Sequence, residues 1–142
     1  MAVSEILAQK GRDVYTASSG DTIEEIAKIL AEKKIGAAVV LDDAGKVCGI
    51  ASERDIVREI AKHGGAALSK PISSCMTQNV ISCSEDELID SLMDKMTKGR
   101  FRHLPVIEKG KLTGIISIGD VVKRKIEVAE RDAEEMKRYI SG

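Results

Sequence analysis

The sequence predicts an α/β (α+β) fold in which one β-α-β-β-α unit is built twice. Three observations carry this expectation. First, Gly45-Lys46-Val47-Cys48-Gly49-Ile50-Ala51-Ser52-Glu53-Arg54-Asp55-Ile56-Val57 returns as Gly110-Lys111-Leu112-Thr113-Gly114-Ile115-Ile116-Ser117-Ile118-Gly119-Asp120-Val121-Val122, with seven of thirteen positions identical at an offset of 65. Second, an apolar stripe at i, i+3, i+4 and i+7 occurs twice, as Ile23, Ile26, Ala27, Leu30 and as Ile89, Leu92, Met93, Met96, the pattern of an amphipathic helix. Third, each stripe is followed by two short apolar runs joined by turn residues, the pattern of a hairpin.

In chain order, Val3, Ile6 and Leu7 have the spacing of a lead-in helix, and Ile72, Cys75 and Met76 repeat it, with Pro71 suited to a first helical turn. First strands are expected over 14–17 and 80–83. Upstream of the hairpins the repeat runs at an offset of 66, pairing Val14 with Val80, Ser18 with Ser84, Ile23 with Ile89 and Val40 with Val106. Ser84 with Glu87 reads as a capping box for the second stripe, and Ser18 with Asp21 as a weaker version for the first. The hairpins are expected over 37–41 and 47–51, around Asp42-Asp43-Ala44-Gly45, and over 104–107 and 112–116, around Glu108-Lys109-Gly110. A helix with the stripe Ile56, Val57, Ile60 and Ala61 closes the first unit near His63-Gly64-Gly65.

The expected organisation is therefore a first repeat with its lead-in helix (3–63), a linker (64–71), a second repeat (72–126) and a long C-terminal helix extending over 127–142. Along that helix Val122, Ile126, Ala129, Ala133, Met136 and Ile140 are spaced 4-3-4-3-4, a heptad seam. Two readings stand: a helix packed on its own domain, or a dimer contact.

Composition narrows the function. Hydrophobic residues at 43% with 32% charged residues are ordinary for a soluble globular protein. With no Trp and one Phe, the core must be Ile, Val, Leu, Ala and Met. A net charge of −1 gives no electrostatic reason to expect nucleic acid. Cys48, Cys75 and Cys83 form an odd set without CxxC, which reads as reduced cytosolic thiols. Neither His lies near a Cys at metal-ligand spacing, so no metal is expected. No apolar run reaches membrane-spanning length and no signal peptide is visible, so a cytoplasmic protein is expected. No nucleophile–base pair, metal set or P-loop is visible, and no enzyme is expected.

The chemistry that stands out is Gly-apolar-x-Ser-x-x-Asp, which twice leaves an apolar strand and enters a helix. Free backbone N–H groups and the helix dipole at such a turn favour phosphate. An Asp there can accept hydroxyl groups, and Gly49 and Gly114 would let backbone approach a ligand. The plain alternative is a helix N-cap, with Ser capping and Asp in the first turn. Recurrence inside a matched repeat favours the ligand reading, and a capping Ser can also touch ligand. Arg54 and Arg102 are most simply solvated charges and Cys48 a core residue, while His103 is either a satisfied, half-buried histidine or a ligand contact.

Taken together with Phe101-Arg102-His103-Leu104-Pro105-Val106 and Ser52-Glu53-Arg54-Asp55-Ile56, these motifs resemble a tandem pair of CBS domains, a Bateman module, of the freestanding bacterial type. The resemblance covers about residues 3–126. It implies two units packed through their sheets about a pseudo-two-fold axis, with a cleft for up to two adenosine ligands. It also implies crossed sites. Site A would combine Ser52, Arg54 and Asp55 with Val80, Ile81, Arg102 and His103, backbone near Val80 and Ile81 reading adenine and the basic side chains facing phosphate. Site B would combine Ser117, Gly119 and Asp120 with Asp13, Val14, Tyr15, Gly36 and Ala37, and brings no positive charge at the positions matching Arg54, Arg102 and His103. The implied ligand is AMP, ADP, ATP or another adenosyl compound such as NAD(H), bound for regulation by a homodimer that signals to a separate protein. The alternative is a non-catalytic scaffold or dimerisation protein with vestigial clefts.

Overall fold

A computed structural model of the chain describes residues 2–141. In chain order the elements are α1 (Val3–Lys10), β1 (Thr16–Ser18), α2 (Ile23–Lys33), β2 (Ala37–Leu41), β3 (Val47–Ser52), α3 (Glu53–His63), α4 (Ile89–Gly99), β4 (His103–Glu108), β5 (Lys111–Ser117) and α5 (Ile118–Ser141), with 3₁₀ turns at Gly64–Ser69 and Ile72–Ser74. They divide into two compact units, one of residues 13–81 and one of residues 2–12 with 82–141.

In the 13–81 unit, β1 runs parallel to β2 and β2 antiparallel to β3. α2 buries Ile23, Ile26 and Leu30 against this sheet's core, as their spacing predicts. Its cap differs from the expected one. Thr22 is the N-cap and its Oγ1 accepts the Glu25 N–H at 3.2 Å, while the Asp21 carboxylate turns back to accept the Ser18 N–H at 2.9 Å. In the hairpin turn the Asp42 carboxylate accepts the N–H groups of Ala44 and Lys46, both at 2.9 Å. The stripe expected on α3 splits. Ile56 is buried, but Val57 and Ile60 are 64% and 39% exposed, and Glu59 occupies the inward position instead. Its carboxylate is held there by Lys70 at 3.3 Å and lies 3.5 Å from His63.

In the 2–12 and 82–141 unit, β4 and β5 form a two-stranded antiparallel sheet. The strand expected over 80–83 is reduced to a single parallel bridge from Cys83 to Val106. A tight turn, with the Val80 N–H donating to Gln78 O at 2.9 Å, uses the backbone that a longer strand would need. The Ser84–Glu87 capping box does not form. Ser84 Oγ bonds Asp86, Glu87 receives Lys95 at 2.9 Å and Ser91 at 3.1 Å, and α4 begins later, after Leu88 without a side-chain cap. α4 nevertheless buries Ile89, Leu92 and Met96, as predicted. α5 runs without a break through Glu127 to Ser141 and buries Val121 and Arg124. Those positions are out of phase with the heptad seam. Val122, Ile126, Met136 and Ile140 lie exposed, which overturns the reading of the seam as a face packed on its own domain.

The lead-in segments are exchanged between the repeats. α1 precedes the first repeat in sequence, yet Val3, Ile6 and Leu7 are buried in the core with Leu92, Leu104, Ile116 and Val121. The segment before the second repeat buries Ile72 with Ile23, Ile26 and Val40. This second lead-in is one 3₁₀ turn rather than the expected helix. The Ile72 N–H is drawn to Asp21 O at 2.7 Å, and Thr77 then bridges to Ile50. The two glycines of the repeated motif explain the docking. A Cβ on Gly114 would lie 2.7 Å from Leu7 Cδ2, and one on Gly49 would lie 2.5 Å from Met76 Sδ. Leu7 and Met76 occupy matching places in the two lead-ins. The close approach that these glycines permit is thus to a lead-in side chain, where a ligand was expected.

Candidate functional site

Each Ser-x-x-Asp turn is built the same way. An apolar strand ends at the Ser, the helix starts at the next residue, and the first helical N–H is taken by a carbonyl at the entrance of the neighbouring strand. Glu53 N–H donates to Gly36 O at 3.0 Å, and Ile118 N–H donates to Arg102 O at 2.8 Å. Strand register then sets Ala37 opposite Ser52 and His103 opposite Ser117. Within a unit, therefore, the structure brings Gly36 and Ala37 beside Ser52 and Asp55, and Arg102 and His103 beside Ser117 and Asp120. Sets A and B combine residues of different repeats, and their membership is a matter for substitution.

Both turns are genuine capping boxes. Ser52 Oγ accepts the Asp55 N–H at 3.3 Å, and Asp55 Oδ2 accepts the Ser52 N–H at 3.2 Å and its hydroxyl at 3.0 Å. Asp120 N–H donates to Ser117 Oγ at 3.1 Å, and Asp120 Oδ2 accepts the Ser117 N–H at 2.8 Å. All these bonds to the carboxylates fall on Oδ2. A carboxylate has about four acceptor sites on its two oxygens, so each aspartate has the capacity to accept a further hydroxyl beside its capping bonds.

The two turns differ in charge, through a residue that sequence reasoning missed. Lys10, at the end of α1, sets its ammonium 2.6 Å from Asp120 Oδ2 and donates also to Ile115 O at 2.9 Å. Burial pushes the Asp120 carboxyl up, but the hydrogen bonds from Lys10 and Ser117, with the Lys10 charge, outweigh it and leave the group below the usual carboxylate range. The Ser117–Asp120 turn thus carries a cation at its aspartate, supplied from α1 rather than from any of the positions that match Arg54, Arg102 and His103. Asp55 has no ion-pair partner among the described residues. At the lead-in spacing, the place of Lys10 falls to Asn79 in the second lead-in. A pocket of about 80 Å³ beside the Lys10–Asp120 pair, walled by Ile6, Lys123, Arg124 and Glu127, is well below the roughly 300 Å³ of a small-molecule site.

The remaining candidates sit as follows. Arg54, Arg102, Asp13 and Gly119 are exposed, and Val14, Gly36, Val80 and His103 are half-buried. Ile81 and Tyr15 are exposed. The Tyr15 ring lies under Lys33 Nζ at 5.6 Å, and its carbonyl accepts the Val39 N–H, fixing the entry to β1. The thiols are poor nucleophiles. Burial, with Glu87 next, pushes Cys83 up to about 12; burial with Asp55 and Glu59 pushes Cys75 up to about 11; burial with Asp42 raises Cys48. No His/Cys/Asp/Glu group that could hold a metal occurs among the described residues. None of the described helices is long and apolar enough to cross a membrane.

The profile of the CBS domain matches residues 3–62 and again residues 72–127. The chain belongs to the CBS-domain family. Its members are regulatory, non-catalytic modules, and this CBS-domain pair is likewise no enzyme. The crystal structure of the CBS-domain containing protein of Agrobacterium tumefaciens is similar at 50% identity and a TM-score of 0.84, covering 87% of this chain and 92% of that one. The CBS domain pair of protein MJ0100, solved with 5′-methylthioadenosine and S-adenosyl-L-methionine, is 32% identical with a TM-score of 0.77, over 87% of this chain and 94% of that one. A CBS domain protein of Pyrobaculum aerophilum, complexed with AMP, is 28% identical with a TM-score of 0.76, over 84% and 89%.

Proposed function

We propose that this CBS-domain pair is a regulatory module that binds an adenosyl ligand through its two Ser-x-x-Asp turns. The carrying observation is that the same Ser-Asp capping box is built twice, each time at a strand-to-helix junction and each time with a half-buried aspartate in the first helical turn. Two similar proteins bind AMP in one case and 5′-methylthioadenosine with S-adenosyl-L-methionine in the other, which supports an adenosyl compound here. Within that class AMP, ADP, ATP and NAD(H) are the candidates. The residue sets are proposed as expected from the sequence. Ser52, Arg54, Asp55, Val80, Ile81, Arg102 and His103 serve one ligand, and Asp13, Val14, Tyr15, Gly36, Ala37, Ser117, Gly119 and Asp120 the other. The module works in the cytoplasm, where three unpaired thiols persist, and signals to a separate regulated protein. It acts as a homodimer, supported by exposed Val57 and Ile60 on α3 and exposed Val122 and Ile126 on α5.

The deciding experiment is a thermal-shift and calorimetric screen of wild type and Asp55→Ala against AMP, ADP, ATP, NADH and S-adenosylmethionine. Ribose hydroxyls donating to a charged acceptor contribute about 1.5–3 kcal/mol, so the variant should lose roughly ten- to hundredfold in affinity. Unchanged affinity with a lower melting temperature would reduce the motif to a helix cap. A second reading, a scaffold with vestigial ligand sites, is favoured by the exposed seam of α5. It prevails if no adenosyl compound binds wild type at millimolar concentration.

A further inference from the structure

We infer that the tail of α5 pairs with the same segment of a second copy of the chain, parallel and in register. The inference deepens the homodimer reading and rests on it. Exposure along the seam rises from 46% at Val122 to 53% at Ile126, 62% at Met136 and 79% at Ile140. From Ala129 to Ser141 every residue is exposed, about three and a half helical turns that nothing among the described residues covers. A helix of that length standing free in water is marginal, so a partner along the seam accounts for its regularity.

The charges beside the seam select the partner's direction. Ile126, Ala133 and Ile140 take heptad position a, and Val122, Ala129 and Met136 take position d. The flanking g positions are Lys125, Asp132 and Tyr139, and the flanking e positions are Lys123, Glu130 and Lys137. In a parallel, in-register pair each g residue faces the e residue five places on in the other helix. Lys125 then meets Glu130 of the second copy, and Asp132 meets Lys137 of the second copy, each twice by symmetry and each of opposite sign. All six seam residues find their counterparts, and Ala129 and Ala133 let the helices come close. Lys125 also reaches Asp90 at 2.6 Å, so the Asp132–Lys137 pair, on the uncovered stretch, is the cleaner test.

The antiparallel alternatives fit worse. The register that lays the whole seam on itself sets Glu130 against Glu130, Asp132 against Asp132 and Lys123 against Lys137. Shifting one heptad in either direction relieves that repulsion but leaves two of the six seam residues without partners. Direction and register are therefore set by charge, and the apolar seam supplies the contact.

Two measurements on the full chain test this. Ala133→Cys should oxidise to a disulfide-linked dimer, because a parallel in-register pair brings position 133 face to face with itself. Wild type under the same oxidant gives the background of the native thiols, and Glu134→Cys, pointing off the seam, should not link. In the antiparallel registers position 133 faces 122, 129 or 136 and does not link. Sedimentation gives the second readout. Asp132→Lys should weaken the dimer roughly tenfold, by turning two attractions into repulsions, and adding Lys137→Asp should restore it. A dimer that neither links at position 133 nor recovers in the double exchange overturns the parallel pairing while leaving the homodimer intact. A full chain that is monomeric at micromolar concentration overturns both.

Discussion

Lys10 and Asp120 show how one contact changes the meaning of a motif. Asp120 ionises below its unfolded value of about 3.9, held down by Lys10 and Ser117 against the effect of burial. Its ionisation therefore stabilises the fold above that unfolded value, and the contribution fades as pH falls through the folded one. Lys10→Met should cost about 0.5–1 kcal/mol at pH 6–8, the scale of a partly exposed pair, and the difference from wild type should shrink below about pH 4. Urea unfolding across that range checks it. A difference that stays flat to acid would assign Lys10's role to the packing of its stem. The thiols make a second prediction at this scale. Cys83, buried and near 12, and Cys75, half-buried and near 11, should resist iodoacetamide at pH 8 until the chain unfolds, and fast labelling of either in the native state would contradict its raised pKa. The Ser and Asp of both caps were legible because their spacing is local. Lys10 was not, because it lies 110 residues from its partner and its place in the second lead-in holds Asn79.

At the scale of elements, the repeated glycines record docking between a lead-in and a hairpin. Gly114→Ala should cost about 1–3 kcal/mol, because an added methyl meets Leu7 at overlap distance. Leu7→Ala alone should cost about 2–5 kcal/mol from the cavity it leaves. Made together they should cost less than the sum, since the smaller side chain yields the space the methyl needs. Thermal melts of the four proteins close the cycle, and strict additivity would place the strain elsewhere. The elements with a full periodic signal were legible: α2, α4 and both hairpins stand where their stripes and turn residues put them. Short elements were not. The run over 80–83 has strand-like letters, but the turn at Gln78–Val80 leaves only Cys83 to pair. The Ile72 lead-in has helical spacing, but Thr77, five residues on, exchanges backbone hydrogen bonds with Ile50, and the extended backbone this requires ends the helix after one turn. In both places a neighbour's hydrogen bond outweighed the local pattern, and a pattern of three or four residues is too weak to resist it. The glycines misled for a related reason: a requirement for close approach is visible in sequence, but what approaches is not.

For the whole molecule, the repeat made the family legible, whereas the exchange of lead-ins was hidden because chain order groups α1 with the wrong core. The seam of α5 lies between these cases. Its spacing was readable, yet only its exposure shows that it faces outward. Truncation after Glu127 removes the exposed tail and keeps Val121 and Arg124, the residues through which α5 joins its core, as well as the Arg124–Glu127 ion pair at 3.1 Å. At dilution where both chains are monomeric, the shortened chain should therefore unfold within about 0.5 kcal/mol of wild type, as expected for changes away from buried features, and should bind adenosyl ligand with unchanged affinity. Its self-association should weaken without vanishing. The two central seam positions are alanines, which contribute little apolar area, while Val122 and Ile126 on α5 and Val57 and Ile60 on α3 remain. Sedimentation of both chains measures the change. A truncated chain that dimerises as tightly as its parent would assign the seam to another partner, and one that becomes wholly monomeric would make the tail the dominant contact.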